Sequence, residues 1–149
     1  MYKIILVPLD GSERAEAILP HADDLARCYR AKVIFLQVIE PEPLIVGPDV
    51  VYPIVNQEMV AERTKAAESY LAKRRAEFEE RGIEVETYVA HGPVVEEIIN
   101  RAERSKVDLI AMASHGRTGL SRVFYGSVAA GILHKVDRPL FLIRSSNNG

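Results

Sequence analysis

Apolar and polar positions along this chain fall into blocks whose period switches repeatedly. Ile4, Ile5, Leu6 and Val7 form an unbroken apolar run. Such a run is too short for a core helix and predicts a strand over Lys3–Leu9 covered on both faces. After Pro8-Leu9-Asp10-Gly11-Ser12 the period lengthens, with Ala15, Ile18, Leu19, Ala22, Leu25, Ala26 and Tyr29 recurring at helical spacing. Ser12 is placed to cap that helix. Pro20 lies within it, and because the stripe keeps its phase the expectation is one kinked helix. Val33, Ile34, Phe35 and Leu36 centre a second strand over Ala31–Ile39. The connection Glu40–Ile54 carries Pro41, Pro43, Pro48 and Pro53 among apolar residues, which suggests a flap packing on a ligand or a second subunit.

A long charged helix is predicted over Gln57–Arg81, with Val60, Thr64, Ala67, Leu71 and Phe78 as its inner stripe. Glu77–Arg81 and Arg75–Glu79 are spaced as pairs on its wet side, and Gly82 is its expected stop. In Ile83–Ala90, Val85, Thr87 and Val89 alternate with Glu84, Glu86 and Tyr88, the mark of an edge strand. Pro93 opens the next helix, striped by Val94, Val95, Ile98, Ile99 and Ala102. Leu109–Ala113 is a second wholly apolar strand, followed by Ser-His-Gly-Arg-Thr-Gly and a helix from about Val123 to Val136. Leu140–Ile143 is the last strand.

Strands alternating with helices imply an α/β fold, a single open five-stranded parallel sheet with helices on both faces. Taking the Rossmann-like strand order 3-2-1-4-5, the order reverses between strands one and four, and a ligand crevice is expected there. The whole chain, 1–149, is expected to be one domain, because its length suits one. Apolar residues at 48% and charged residues at 27% are ordinary for a globular protein. The net charge of −2 offers no electrostatic case for nucleic acid. MYKIILVPLDGS is neither signal peptide nor membrane span, so a cytoplasmic location without membrane contact is expected. The lone Cys28 excludes an internal disulfide and is expected as a small buried helix residue.

The chemistry concentrates between Asp108 and Ala129. A strand, a glycine-containing loop and a helix start make a phosphate site: glycines permit close approach, and successive N–H groups form an anion nest. The helix N-terminus adds unpaired donors, and Ser127, Arg117 and Arg122 can add a hydroxyl and charge. The stretch lacks the Gly-x4-Gly-Lys-Ser/Thr and Gly-x-Gly-x-x-Gly frames. His21, His91, His115 and His134 show no metal-ligand spacing. His91, after the third strand, should be distant from the crevice. Asp10, Ser12 and His115 fall short of a hydrolase triad, because no Gly-x-Ser-x-Gly elbow is present.

From Lys3 to Arg144 the chain resembles the universal stress protein family, in its UspA-like, ATP-binding subgroup. That subgroup shows Gly-x2-Gly-x9-Gly-Ser/Thr after the fourth strand. Here the frame is Ala113-Ser-His-Gly116, nine residues Arg117–Tyr125, then Gly126-Ser127, with Ala113 replacing the first glycine. A methyl there crowds the ligand if the backbone needs positive φ and costs little if it is strand-like. The resemblance implies an adenine nucleotide alpha hydrolase-like fold and an ATP-binding regulator of stress response. AMP or ADP are alternatives to ATP, with Mg²⁺ expected alongside. By position it implies that Pro8 and Asp10 line the adenine side and that Val38 meets base or ribose. Ala113, Ser114, His115, Gly116, Arg117, Thr118 and Gly119 match its phosphate and ribose loop, and Gly126, Ser127, Val128 and Ala129 the helix start that holds phosphates. A homodimer through Leu140–Ile143 is expected, since that strand closes the chain as an apolar edge. No catalytic residue is implied, slow ATP hydrolysis being the most to expect. The alternative is a dimeric interaction module of this fold that binds no nucleotide.

Overall fold

The computed structural model describes residues 1–40, 44–45, 51–52, 57–114 and 126–145. Its five-stranded sheet contains β1 (Ile4–Pro8), β2 (Lys32–Ile39), β5 (Val85–His91), β6 (Leu109–Ser114) and β7 (Leu140–Arg144). All four neighbouring pairs are parallel, in the order β5-β2-β1-β6-β7. Counting only these strands, that is the expected 3-2-1-4-5. β3 (Leu44–Ile45) and β4 (Val51–Tyr52) form a separate antiparallel ribbon within the proline-rich connection, where no strand was expected. The remainder of that connection lies outside the described residues.

Helices cover both faces, as the continuous apolar runs require. α1 (Glu13–Glu16), α2 (Leu19–Tyr29) and α3 (Gln57–Glu79) enclose one face. The core on this side holds Ile5, Val7, Val33, Phe35, Leu71, Phe78, Leu109 and Ala111. α4 (Val94–Arg104) and α5 (Gly126–Lys135) cover the other face with Ile98, Ala102, Ala129 and Ile132 over Leu6, Ile34, Leu36 and Ile110. Strand alternation explains the division: odd residues of β1 face α1–α3, and even residues face α4 and α5. At the bottom of the sheet the Asp108 carboxylate accepts hydrogen bonds from the amides of Lys3 (2.8 Å) and Ile4 (2.9 Å). This fixes the start of β1 beside β6.

Three sequence expectations need correction. The helix after Ser12 is two helices, α1 and α2, with Pro20 in the first turn of α2. Without an N–H, Pro20 cannot bond the Glu16 carbonyl. The amides of Ala17 and Ile18 bond back only three residues, to Arg14 and Ala15, each at 3.3 Å. Ala17 and Ile18 keep right-handed helical angles, which is why the apolar stripe does not lose phase. Cys28 is exposed, not buried. Ala22 and Ala26 define the inner face of α2, and six residues beyond Ala22 the helix has turned about 240°, to the solvent side. Third, Arg81 does not pair with Glu77. It bonds the buried Asp23 carboxylate, which also accepts from Arg27 Nε at 2.6 Å, while Glu77 pairs with Arg74 at 3.1 Å.

Arg75–Glu79 forms as expected, at 2.6 Å. Gly82 stops α3 with φ +81°, in a Schellman arrangement: Ile83 N–H reaches the Phe78 carbonyl at 3.2 Å and Gly82 N–H the Glu79 carbonyl at 2.9 Å. Among the described residues, no helix is long and apolar enough to cross a membrane.

Candidate functional site

β1 and β6 are neighbours for only part of their length. Their register pairs Ile5 with Leu109 and Leu6 with Ile110. β1 continues beside β2 to Pro8↔Leu36, and β6 continues beside β7 to Ser114↔Arg144. The two strands therefore part toward their carboxyl ends, at the point where the strand order reverses. Pro8 favours the parting, since it has no N–H to offer a ladder.

A tight turn stands at the end of β1. The Asp10 carboxylate Oδ1 accepts from the Ser12 amide at 2.9 Å and the Ser12 hydroxyl at 2.6 Å. Ser12 Oγ in turn accepts from the Ala15 amide at 3.2 Å, so the expected helix cap is present. Gly11 between them has φ +85°, and a Cβ built there would meet nothing within 4 Å. Sequence reasoning passed over Gly11. The signal was an Asp-Gly-Ser sequence at a strand end, where glycine supplies the positive φ that the turn needs.

The expected site residues separate into three groups. Pro8, Asp10, Ala113 and Ser114 come together at the carboxyl ends of the two parting strands. Val38 lies one strand further, on β2, and packs on the α4/α5 side, where Val128 and Ala129 of α5 also lie. Alternation places Pro8 and Ser114 on that same side of the sheet. Gly126 and Ser127 open α5, with Gly126 at φ +73° and Ser127 exposed. His115, Gly116, Arg117, Thr118 and Gly119 lie outside the described residues, as do Arg122 and the expected first turn from Val123.

Ala113 is part of β6, buried to 4% exposure, and pairs with Ile143. It is not among the non-glycine residues with positive φ, which among the described residues are Arg30 and Lys106. Its methyl faces the α1–α3 core, the opposite side from Ser114. The alanine in the first glycine position is thus strand-like and causes no backbone strain.

His91 closes β5, with β2 between it and the parting strands β1 and β6. Its Nε2 is 2.8 Å from Thr64 Oγ1. The Thr64 hydroxyl donates to the Val60 carbonyl at 2.7 Å, so the imidazole is the donor in its own contact. Among the described residues no cluster of three metal-ligating side chains occurs.

A model of the universal stress protein family matches residues 1–144. The chain belongs to that family. This universal stress protein is 31% identical over 145 residues to universal stress protein MJ0531 of Methanocaldococcus jannaschii, covering 97% of this chain and 83% of the relative. It is 30% identical to universal stress protein MJ0577 of the same organism, covering 99% of this chain and 98% of the relative. A solved structure of MJ0577 superposes with a TM-score of 0.81 at 29% identity, covering 99% of both chains. The fold is also shared by a universal stress protein solved with cAMP, at 20% identity, 97% and 98% coverage and TM-score 0.68. An Archaeoglobus fulgidus member solved with dAMP shares it at 18% identity, 96% and 98% coverage and TM-score 0.65.

Proposed function

We propose that this universal stress protein binds an adenine nucleotide where β1 and β6 part, as one domain acting in the cytoplasm as a stress-response regulator. ATP with Mg²⁺ is the form the frame Gly116…Gly126-Ser127 favours, with AMP and ADP as weaker candidates. The observation that carries the reading is the parting of β1 and β6 at the reversal of strand order, with the Asp10–Ser12 turn at the end of β1. Pro8, Asp10 and Val38 are assigned to the base and ribose. Ser114, His115, Gly116, Arg117, Thr118 and Gly119, with Gly126 to Ala129, are assigned to ribose and phosphates, and Ala113 to the strand beneath them. The complexes of two family members with cAMP and dAMP support an adenine nucleotide as the ligand class.

The residues present suit such a ligand. Gly11 leaves open space at the turn, and Ser127 is exposed at a helix start that favours anions. Asp10 can reach a phosphate-bound Mg²⁺ through water, the ion arriving with the nucleotide. No catalytic residue is assigned, and slow hydrolysis is the most expected. Thermal unfolding tests the reading. Mg-ATP at ~100 times Kd should add roughly 2.7 kcal/mol of stability, about 5–10 °C for a chain of this size. No shift with any millimolar adenine nucleotide would leave the interaction-module reading in its place.

We also propose a homodimer through Leu140–Ile143. The two sheet edges differ. On β5, Glu86 is held by Lys32 Nζ at 2.9 Å and by Tyr88 OH at 2.9 Å, and Arg101 lies over the Tyr88 ring at 3.8 Å. Charge of this kind guards an edge. β7 presents Leu140, Phe141, Leu142 and Ile143, all only partly buried. A second copy can cover it by antiparallel pairing about a two-fold axis. Light scattering at micromolar concentration should give twice the 16.6 kDa chain mass. A monomeric mass removes the dimer.

A further inference from the structure

α1 is a single turn, Glu13–Glu16, and Ala15 is its one buried residue. Four residues cannot sustain a helix by themselves. At the break before Pro20, α1 is joined to α2 through the three-residue bonds of Ala17 and Ile18, each at 3.3 Å. Its position must come from its ends and its packing. The N-terminal end is the Asp10–Ser12 turn, through the Ser12 cap. At the C-terminal end, Glu16 Oε2 accepts from Tyr70 OH at 2.7 Å and from Arg74 Nη1 at 3.0 Å. Tyr70 and Arg74 both belong to α3, 54 and 58 residues further along. Arg74 Nη2 is anchored in turn to Glu77 Oε1 at 3.1 Å. α1 also packs against β6, one of the two parting strands.

We propose that Glu16, Tyr70 and Arg74 are positioning residues that clamp α1 to α3 and so hold the Asp10–Ser12 turn in its ligand-meeting orientation. The affinity part of this proposal rests on the nucleotide reading above. The clamp part does not.

Three features support it. Glu16 and Arg74 have side chains only 24% and 16% exposed, so their ion pair is sheltered from the screening that weakens surface pairs. Burial, then the hydrogen bond and charge of Glu16, raise the Tyr70 pKa, so the phenol stays a donor across the physiological range; the Asp10 carboxylate adds to the rise. Arg74 is engaged at both terminal nitrogens, Nη1 with Glu16 at 3.0 Å and Nη2 with Glu77 at 3.1 Å, so its guanidinium is fixed in orientation.

Two measurements on the full chain test the proposal. The first is native-state amide hydrogen exchange without ligand. In Tyr70→Phe and Glu16→Ala the Ser12, Ala15 and Glu16 amides should exchange roughly tenfold faster. Asp23→Asn, which loosens α2 from the far end of α3, should leave these amides unchanged. Where Glu16→Ala does not fold, Glu16→Gln takes its place, since it keeps an acceptor for Tyr70 and loses only the charge. The second is calorimetric titration with Mg-ATP. Tyr70→Phe should weaken binding several-fold, and this factor should vanish in an Asp10→Asn background, as coupled residues require. Unchanged exchange at Ser12 and Ala15 overturns the clamp. Equal weakening in both backgrounds overturns its action through Asp10. If the wild type takes up no adenine nucleotide, the nucleotide reading and the affinity part fail together, and the exchange measurement alone decides the clamp.

Discussion

Gly126→Val should weaken Mg-ATP binding tenfold or more while the chain still folds. Gly126 opens α5 at φ +73°, in the left-handed region. An L-residue there costs roughly 1–2 kcal/mol, and a β-branched one more. That strain is a modest part of a typical stability of about 5–15 kcal/mol, so it does not by itself unfold the protein. It must be relieved where the chain can yield. Ala129 and Ile132 are buried against the sheet and hold the body of α5. The first turn is what can move, and its amides are the proposed phosphate donors. A lost hydrogen bond to a charged group is worth about 1.5–3 kcal/mol, which is tenfold or more in Kd. Titration calorimetry gives the Kd, and urea unfolding gives the stability of the same sample. Gly126→Ala should change both in the same direction by less. A Gly126→Val protein that loses stability but binds as wild type would place the phosphates elsewhere.

Much of the fold was legible because burial leaves a direct trace in residue order. β6 has every residue buried, and its apolar run has no polar interruption. β5 is partly exposed along most of its length, and its sequence alternates. That contrast puts β6 inside the sheet and β5 at an edge. What escaped depends on partners distant in sequence or on one missing hydrogen. The four-residue spacing of Glu77 and Arg81 matched a helix pair, yet Asp23, 58 residues earlier, claims Arg81. Asp108 clasping the amides of Lys3 and Ile4 spans more than 100 residues, and no local pattern encodes it. Pro20 kept the apolar phase and broke the hydrogen bonding, and periodicity registers only the first. In the candidate site, the parting of β1 and β6 followed from topology. The backbone state of Ala113 did not, because an alanine after an apolar run suits the end of a strand or the start of a loop equally well.

Phe78→Ala should cost about 3–5 kcal/mol, the usual range for emptying a buried aromatic site. Phe78 is 2% exposed near the C-terminal end of α3, and its ring meets Phe35 of β2 edge-on, with centroids 5.0 Å apart. Phe35 is fully buried in a central part of the sheet, so it cannot move to fill the space. Collapse from the helix side is opposed as well. Leu71 fixes α3 two turns earlier, the Phe78 carbonyl is held by the Ile83 amide, and Arg81 is tied to Asp23. With both walls fixed the cavity persists, and the upper half of the range is expected. For a chain of this length each kcal/mol moves the midpoint by roughly 2–4 °C, so a fall of about 8–20 °C follows. Phe35→Ala should cost a similar amount. The double variant should cost less than the sum, by about 0.5–1.5 kcal/mol, because the edge-to-face pair is lost only once. Urea unfolding of the four proteins measures this. Strict additivity would mean that the two rings only fill volume. A loss under about 1 kcal/mol for Phe78→Ala would show that the end of α3 yields and closes the cavity.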